Sequence, residues 1–276
     1  MDIARFWVKE CDVDGYRLDV ANELPHEFWR RFRYEMDQLK PDFALIGEVW
    51  HDAASWLGRD QFHSVMNYPL MYAIWEFFGL NSLSAYQFGQ TLNRLTMKYR
   101  RDHTQSMMNF IDSHDVGRFI TLTNLNYKKQ EMAAAFLMTY VGMPCIYYGD
   151  EKSLEGRDIN DSRRKMIWKD NEASASMHDY YKKLTHIRSE HKVLTYGRYE
   201  PLAADVATNF MGFIRDDGRE QLACLFNNTE NEQHITVKLK GKVSVDLLSE
   251  ESFYEQDEVF NLTMKPLSCR ILKILS

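Results

Sequence analysis

The sequence predicts an α/β chain with parallel strands that passes, near Gly197, into a small antiparallel β-sandwich. Three observations predict it. Short apolar runs of strand character alternate with helical stripes through the first 195 residues. Some of these runs, Phe43–Val49 above all, do not alternate in polarity, as expected of parallel strands covered on both faces. After Gly197 the helical spacing gives way to short β segments divided by turn signals, Asp217-Gly218 being the clearest. The expected division is therefore 1–195 and 196–276.

Taken in order, Ile3, Phe6 and Trp7 have helical spacing and feed a strand over Asp14–Val20. Pro25 suits the first turn of the next helix, whose stripe is Phe28, Phe32, Met36 and Leu39, up to Pro41. Phe43–Val49 is the second strand and Ser64–Tyr68 the third. Pro69–Phe78 and Ser84–Tyr99 read as helices, the first stopped by Gly79. Met107–Ile111 reads as the fourth strand, Lys128–Val141 as a helix rich in Ala and Met, and Pro144–Gly149 as the fifth strand. A helix around Met177–Glu190 precedes six β segments: Asn209–Arg215, Gln221–Phe226, His234–Leu239, Val243–Leu248, Val259–Met264 and Arg270–Leu275.

Composition narrows the function. A hydrophobic fraction of 45% with 13% aromatic residues is ample for a packed core, and the aromatics also suit a ligand with flat apolar faces such as a sugar ring. A formal net charge of −6 without a basic cluster argues against nucleic acid. Cys11, Cys145, Cys224 and Cys269 lie far apart without metal-ligand spacing and read as reduced thiols of a cytoplasmic protein. No run of about 18 apolar residues is present, so no membrane partner is expected.

In the first strand Tyr16, Leu18 and Val20 face one side, and Arg17 and Asp19 the other. Two charges there are costly to bury singly and tolerable as a pair, either as a structural ion pair at a sheet end or as part of a site. Carboxylates also end two later strands, as Glu48 and Asp115. In a (β/α)8 barrel such strand ends converge on one face. Glycoside hydrolysis uses that arrangement: one carboxylate attacks or stabilises the reacting centre, and another protonates the leaving oxygen. Three acids as a metal site are the weaker alternative, since the clustered ligand spacing is missing.

Asp14–Asp19, Gly47-Glu48-Val49-Trp50 and Ser113-His114-Asp115 resemble three signature regions of the α-amylase family, glycoside hydrolase family 13. Val20-Ala21-Asn22-Glu23, Trp50-His51-Asp52-Ala53, Asp60-Gln61-Phe62 and Met66-Asn67-Tyr68-Pro69 resemble its neopullulanase, cyclomaltodextrinase and maltogenic amylase group. The resemblance implies a retaining α-glucan hydrolase acting on maltooligosaccharides or cyclodextrins. Asp19 would be the nucleophile, Glu48 the general acid/base and Asp115 the transition-state stabiliser, with Arg17 and His114 positioning Asp19 and the sugar. Asn22 and Glu23 would shape the leaving-group side, each reading equally as a loop cap. Trp50 and Tyr68 would stack on sugar faces or belong to the core. Gly149-Asp150-Glu151 matches the end of the family's eighth strand and reads as structural. In the loop Glu155–Arg164, Ile159-Asn160 stands where the group carries an Asp-Pro pair, so the sugar contacts of Asp161 and Arg163 are open.

The resemblance also implies that the family's first signature, and a stacking tyrosine on its second strand, lie upstream of residue 1. The expected fold is thus the C-terminal part, about strands four to eight, of a (β/α)8 barrel followed by the β-sandwich. Such a chain is expected to associate with itself or with the missing N-terminal part, and to be a weak catalyst or a glucan-binding fragment alone. Transglycosylation is the alternative within the family. No cofactor is implied; calcium occurs beside the barrel in parts of the family, but no ligand set is assignable here.

Overall fold

The computed structural model describes residues 1–205, 209–253 and 259–275. Helix α1 (Asp2–Cys11) ends where Asp12 turns left-handed, and β1 (Gly15–Leu18) follows. After α2 (His26–Leu39) come β2 (Ala44–Gly47) and β3 (Ser64–Val65). Helices α3 (Tyr68–Ile74), α4 (Ala85–Lys98) and α5 (Arg101–Ser106) lead to β4 (Met108–Asn109). Then α6 (Phe119–Leu122) and α7 (Tyr127–Thr139) precede β5 (Met143–Pro144). Strands β1, β2 and β3 pair in parallel, a Met66–Met108 bridge joins them to β4, and β4 pairs in parallel with β5. The five strands therefore follow one another in chain order, as an arc of a barrel does.

Several expected elements come out shorter. The fifth strand, expected at Pro144–Gly149, is Met143–Pro144 with its last ladder bond from the Cys145 N–H to the Asn109 carbonyl at 2.7 Å. Past that, the chain bends into the Gly149 turn, whose φ of 91° suits glycine. The fourth strand pairs only over Met108–Asn109, and the helix expected at Pro69–Phe78 stops at Ile74. A single π-turn, Trp75–Gly79, takes over, and the Leu80 N–H reaches back to the Trp75 carbonyl at 2.8 Å. It lets Trp75 Nε1 donate to the Ile111 carbonyl at 2.6 Å, bracing the end of β4.

Helices α8 (Glu172–Glu190) and α9 (Val193–Tyr196) lead into the C-terminal strands. These are β6 (Arg198–Asp205), β7 (Phe210–Asp216), β8 (Gln221–Asn227), β9 (Gln233–Lys238), β10 (Lys242–Asp246), β11 (Val259–Met264) and β12 (Ser268–Leu275). A five-stranded antiparallel sheet runs β10-β12-β8-β7-β6, and β9 with β11 forms a second layer. The edge strand β6 is absent from the sequence reading. Its Pro201 sits beside a register shift, which is where an edge strand tolerates proline.

The five-stranded sheet is covered on both faces. Ala223, Leu225 and Leu272 pack with Ile235, Val237 and Phe260 of the second layer. Phe213, Leu222, Cys224 and Phe226 pack with Phe136 and its neighbours on α7. Phe136 is fully buried, and its ring meets those of Phe78, Phe88, Tyr140, Phe213 and Phe226. Two arginines reinforce the seam at the negative end of α7. Arg215 donates to the Thr139 and Gly197 carbonyls at 2.6 and 2.9 Å, and Arg188 to Met138 and Gly142, both at 2.6 Å. Burial lowers each guanidinium to about 10, still protonated at neutral pH.

Truncating Phe136 should test this seam. Phe136→Ala is expected to cost about 3–5 kcal/mol of stability in urea unfolding. All six tryptophans lie within the first 168 residues, so their fluorescence reports that part alone, whereas far-ultraviolet dichroism reports both. The two transitions should coincide in the wild-type chain; separate midpoints would show that the parts fold independently.

Candidate active site

The parallel register that aligns β1 with β2 sets the site. Arg17 lies beside Ile46 and Leu18 beside Gly47, so the next residues, Asp19 and Glu48, emerge opposite one another. The Arg17 guanidinium lies between them. It pairs with Asp19 through Nη1 and with Glu48 Oε1 through Nη2 at 2.8 Å, and Nη2 is 4.0 Å from Asp115 Oδ2. One cation thus sits among two strand-end carboxylates and Asp115 of the loop after β4, which would otherwise repel each other. The Asp19 side chain is 74% exposed, that of Glu48 only 4%, and that of Asp115 17%. The Arg17 hydrogen bond, above all, holds the Asp19 carboxyl below the usual range, with smaller contributions from Glu48 and His114.

The backbone after Asp19 takes an unusual course. Val20 is left-handed at φ 43°, a region that penalises a β-branched residue. The turn aims the Val20 N–H at Glu48 Oε2 at 2.9 Å and brings the Ala21 N–H to the Glu48 carbonyl at 3.1 Å. Strain here, on the order of 1–3 kcal/mol, accompanies a fixed Glu48 carboxylate. On its other side Glu48 Oε1 accepts from Trp50 Nε1 at 3.2 Å and from the Tyr68 hydroxyl at 3.3 Å. Burial pushes the Tyr68 phenol upward, so it stays a donor. The Trp50 and Tyr68 rings stack on each other 4.1 Å apart at 14°, Trp50 half-exposed and Tyr68 buried. The face of Trp50, rather than that of Tyr68, is the one open to a ligand.

Asp115 is held from two directions. His114 Nε2 lies 3.0 Å from Asp115 Oδ2, and Arg163 Nη2 donates to Oδ1 at 3.0 Å. Arg163 Nε also donates to the His114 carbonyl at 2.8 Å. Arg163 belongs to a short 3-10 turn, Asp161–Arg163, far away in sequence. Asp161 of the same turn faces elsewhere: it pairs with Arg164 at 2.6 Å and accepts the Arg157 N–H at 2.9 Å, the geometry of a loop cap. Asn22 and Glu23 sit on the 3-10 turn Ala21–Glu23 beside Asp19, where Asn22 Nδ2 donates to Glu23 Oε1 at 2.9 Å. The structure therefore brings Arg17, Asp19, Glu48, Trp50, His114, Asp115 and Arg163 together, with Asn22 and Glu23 on the adjoining rim and Asp161 turned away.

Sequence reasoning missed the supports. Arg118, buried against Asp150 and the Ser162 carbonyl, and the turn at Val20 carry no local signal. Trp75 could have been suspected from its place near the end of an aromatic-rich helix. Among the described residues, no group of three or more His, Cys, Asp or Glu side chains is placed to hold a metal ion, and no helix is long and apolar enough to cross a membrane.

The geometry agrees with the chain's relationships. The family model for the alpha amylase catalytic domain matches residues 1–171, and that for the maltogenic amylase C-terminal domain matches residues 199–271. The chain is 35% identical over 268 residues to a cyclomaltodextrinase of Geobacillus thermopakistaniensis, covering 96% of this chain and 46% of that protein. It is 38% identical over 274 residues to neopullulanase 2 of Thermoactinomyces vulgaris, covering 98% and 47%. A solved cyclomaltodextrinase structure superposes with a TM-score of 0.90 at 31% identity, covering 98% of this chain and 47% of that one. The chain spans about half the length of these relatives. With a family match across most of its length and strand-end acids gathered as that fold gathers them, this chain belongs to the α-amylase family.

Proposed function

We propose that the chain carries the acid machinery of a retaining α-glucan hydrolase acting on α-1,4 bonds of maltooligosaccharides or cyclodextrins. The observation that carries this reading is the single Arg17 guanidinium shared by Asp19 and Glu48, with Asp115 at 4.0 Å. In the first step the Asp19 carboxylate attacks the anomeric carbon while Glu48 gives its proton to the departing oxygen. A glycosyl-Asp19 ester results. In the second step Glu48 takes a proton from water, which attacks the same carbon and releases Asp19. Asp115 and His114 hold ring hydroxyls of the reacting sugar, Arg163 fixes Asp115, and Trp50 offers a stacking face. Replacement of that water by a sugar hydroxyl is transglycosylation on the same residues.

A second reading is favoured by the exposure of Asp19 and by the unpaired outer edges of the barrel arc, where β1 pairs only with β2, and β5 only with β4, among the described residues. Open sites admit water and position substrate poorly. The 276 residues alone are proposed to turn glucan over weakly, and to associate through uncovered sheet edges with another copy or with the N-terminal part of a longer chain. A cytoplasmic setting is proposed from the four free cysteines.

Four outcomes test these proposals. Asp19→Asn should abolish cyclodextrin hydrolysis with the fold intact, and Glu48→Gln should lower kcat by roughly 10²–10⁴-fold, much less on glycosides whose leaving group needs no proton. The first product seen by NMR should be the α-anomer; a β-anomer would sink the retaining step. Because Asp19 must be ionised and its carboxyl is held below the usual range, the acid limb of kcat/KM should lie below about pH 4. Arg17→Met should move that limb to higher pH; an unmoved limb would assign it to another group. Finally, turnover by this chain matching that of a full-length cyclomaltodextrinase would refute the weak-catalyst reading.

A further inference from the structure

Behind the acids lies a second charged cluster that the proposed chemistry does not use. Asp112 in the loop after β4, Asp150 after the Gly149 turn and Arg118 ahead of α6 are 2%, 4% and 1% exposed. One guanidinium faces two carboxyls. Arg118 Nη1 donates to Asp150 Oδ1 at 3.0 Å and lies 3.8 Å from Asp112 Oδ1. Its Nε and Nη2 are taken by the Ser162 carbonyl at 3.2 and 2.9 Å, and its plane covers the Tyr147 ring 3.9 Å from the centroid. Asp112 Oδ2 accepts the Phe119 N–H at 2.7 Å. The remaining oxygens, Asp112 Oδ1 and Asp150 Oδ2, are buried without any N–H or O–H donor, and both carboxyls lie against the same guanidinium nitrogen, Arg118 Nη1.

Two ionised carboxylates would leave one uncompensated negative charge enclosed beside a single guanidinium, with one oxygen of each carboxyl bare. One proton between them makes the cluster neutral and supplies the missing donor as a charge-assisted O–H···O bond. We propose that Asp112 and Asp150 hold a single proton between them, and that the neutral Asp112–Arg118–Asp150 cluster is the positioning element for the loop carrying His114 and Asp115.

The connections run both ways around Asp115. Asp112 and Arg118 bracket the loop, and Arg118 clamps the Ser162 carbonyl next to Arg163, which grips Asp115 and the His114 carbonyl. Burial pushes both Asp carboxyls up, that of Asp150 well up, and Asp112 pushes Asp150 further. The other titratable groups around the pair are Tyr181 from α8, whose buried hydroxyl has no partner, Cys145 and Tyr147 after β5, and Glu151. None of these adds a second positive charge.

The shared proton is testable without any activity, whereas the positioning role rests on the hydrolase reading above. At pH 7 the surface carboxyls are ionised, so the infrared spectrum of the wild-type 276-residue chain should still show the carbonyl band of protonated carboxylic acid, and Asp150→Asn should lower it by one acid group, leaving only what the buried general acid Glu48 supplies. The native state would hold a proton that the unfolded chain releases above about pH 4, so stability should fall as pH rises from there. That fall should be steeper than in Asp150→Asn by about one proton per molecule. A wild type with no acid band overturns the shared proton whether or not the variant folds, and so do equal slopes. On cyclodextrin, Asp150→Leu should lower kcat by roughly 10²-fold with KM changed less, and Asp150→Asn should restore most of it. Equal kcat in Asp150→Leu and wild type overturns the positioning role. A chain with no hydrolysis at all refutes the hydrolase reading instead, leaving the band and the slope to decide the proton.

Discussion

Carboxylates gathered at the end of a parallel sheet repel one another, and a fold that collects them must supply the opposite charge in the same place. Arg17 does so from within β1, one residue before the strand ends. Its position is a product of strand geometry: side chains alternate, so a residue two before Asp19 points to the same side. The pairing of Leu18 with Gly47 then sets Glu48 against Asp19, and the left-handed Val20 closes a backbone donor over the buried carboxylate. A register slip of one residue between β1 and β2 would turn these side chains to the other face and separate the acids. The rest of the site is arranged around that pair. Trp50 and Tyr68 satisfy the inner oxygen of Glu48, and the His114–Asp115–Arg163 group approaches from the far side.

Much of this was legible in the sequence because it rests on local periodicity. The alternation of Tyr16, Arg17, Leu18 and Asp19 marks a strand with a charged side, and the apolar run before Glu48 marks a covered one. What escaped depends on contacts made across the fold. Strands β4 and β5 are each only two residues long, so their apolar runs overstated them. The π-turn at Trp75–Gly79 accompanies a bond across the fold, from Trp75 to the Ile111 carbonyl, which no local pattern encodes. Strand β6 was obscured by Pro201, and α5, α6 and α9 are too short for a helical stripe. Asp161 carried the right residue type in the right loop yet turns to Arg164, a choice between two neighbours that sequence spacing leaves open.

The C-terminal strands are more than an appendage to the arc of barrel. Strand β8 is buried on both faces, with Ala223 and Leu225 toward the second layer and Leu222, Cys224 and Phe226 toward α7. The phenylalanine cluster around Phe136 and the guanidinium groups of Arg188 and Arg215 tie α7 to that sheet with both apolar contact and hydrogen bonds. Helix α7 also holds Gln130, whose side-chain amide donates to the Asp150 carbonyl at 2.9 Å. A continuous path of packed and bonded residues therefore runs from the C-terminal sheet to the buried acids behind the site.

The two larger sheets treat their borders differently. Both margins of the five-stranded sheet are irregular: β6 breaks register at Pro201, and β10 between Val243 and Val245. Irregular margins discourage a foreign strand from zipping alongside. In the barrel arc, β5 turns its Met143 and Cys145 amides inward to β4, so the amide missing from Pro144 is the one on the outward side. Among the described residues of these two sheets, β1 alone then offers a regular, unbroken margin to an incoming strand of parallel pitch. Among the described residues, a strand added to either sheet would therefore meet one receptive margin, next to the acids, and blunted margins elsewhere.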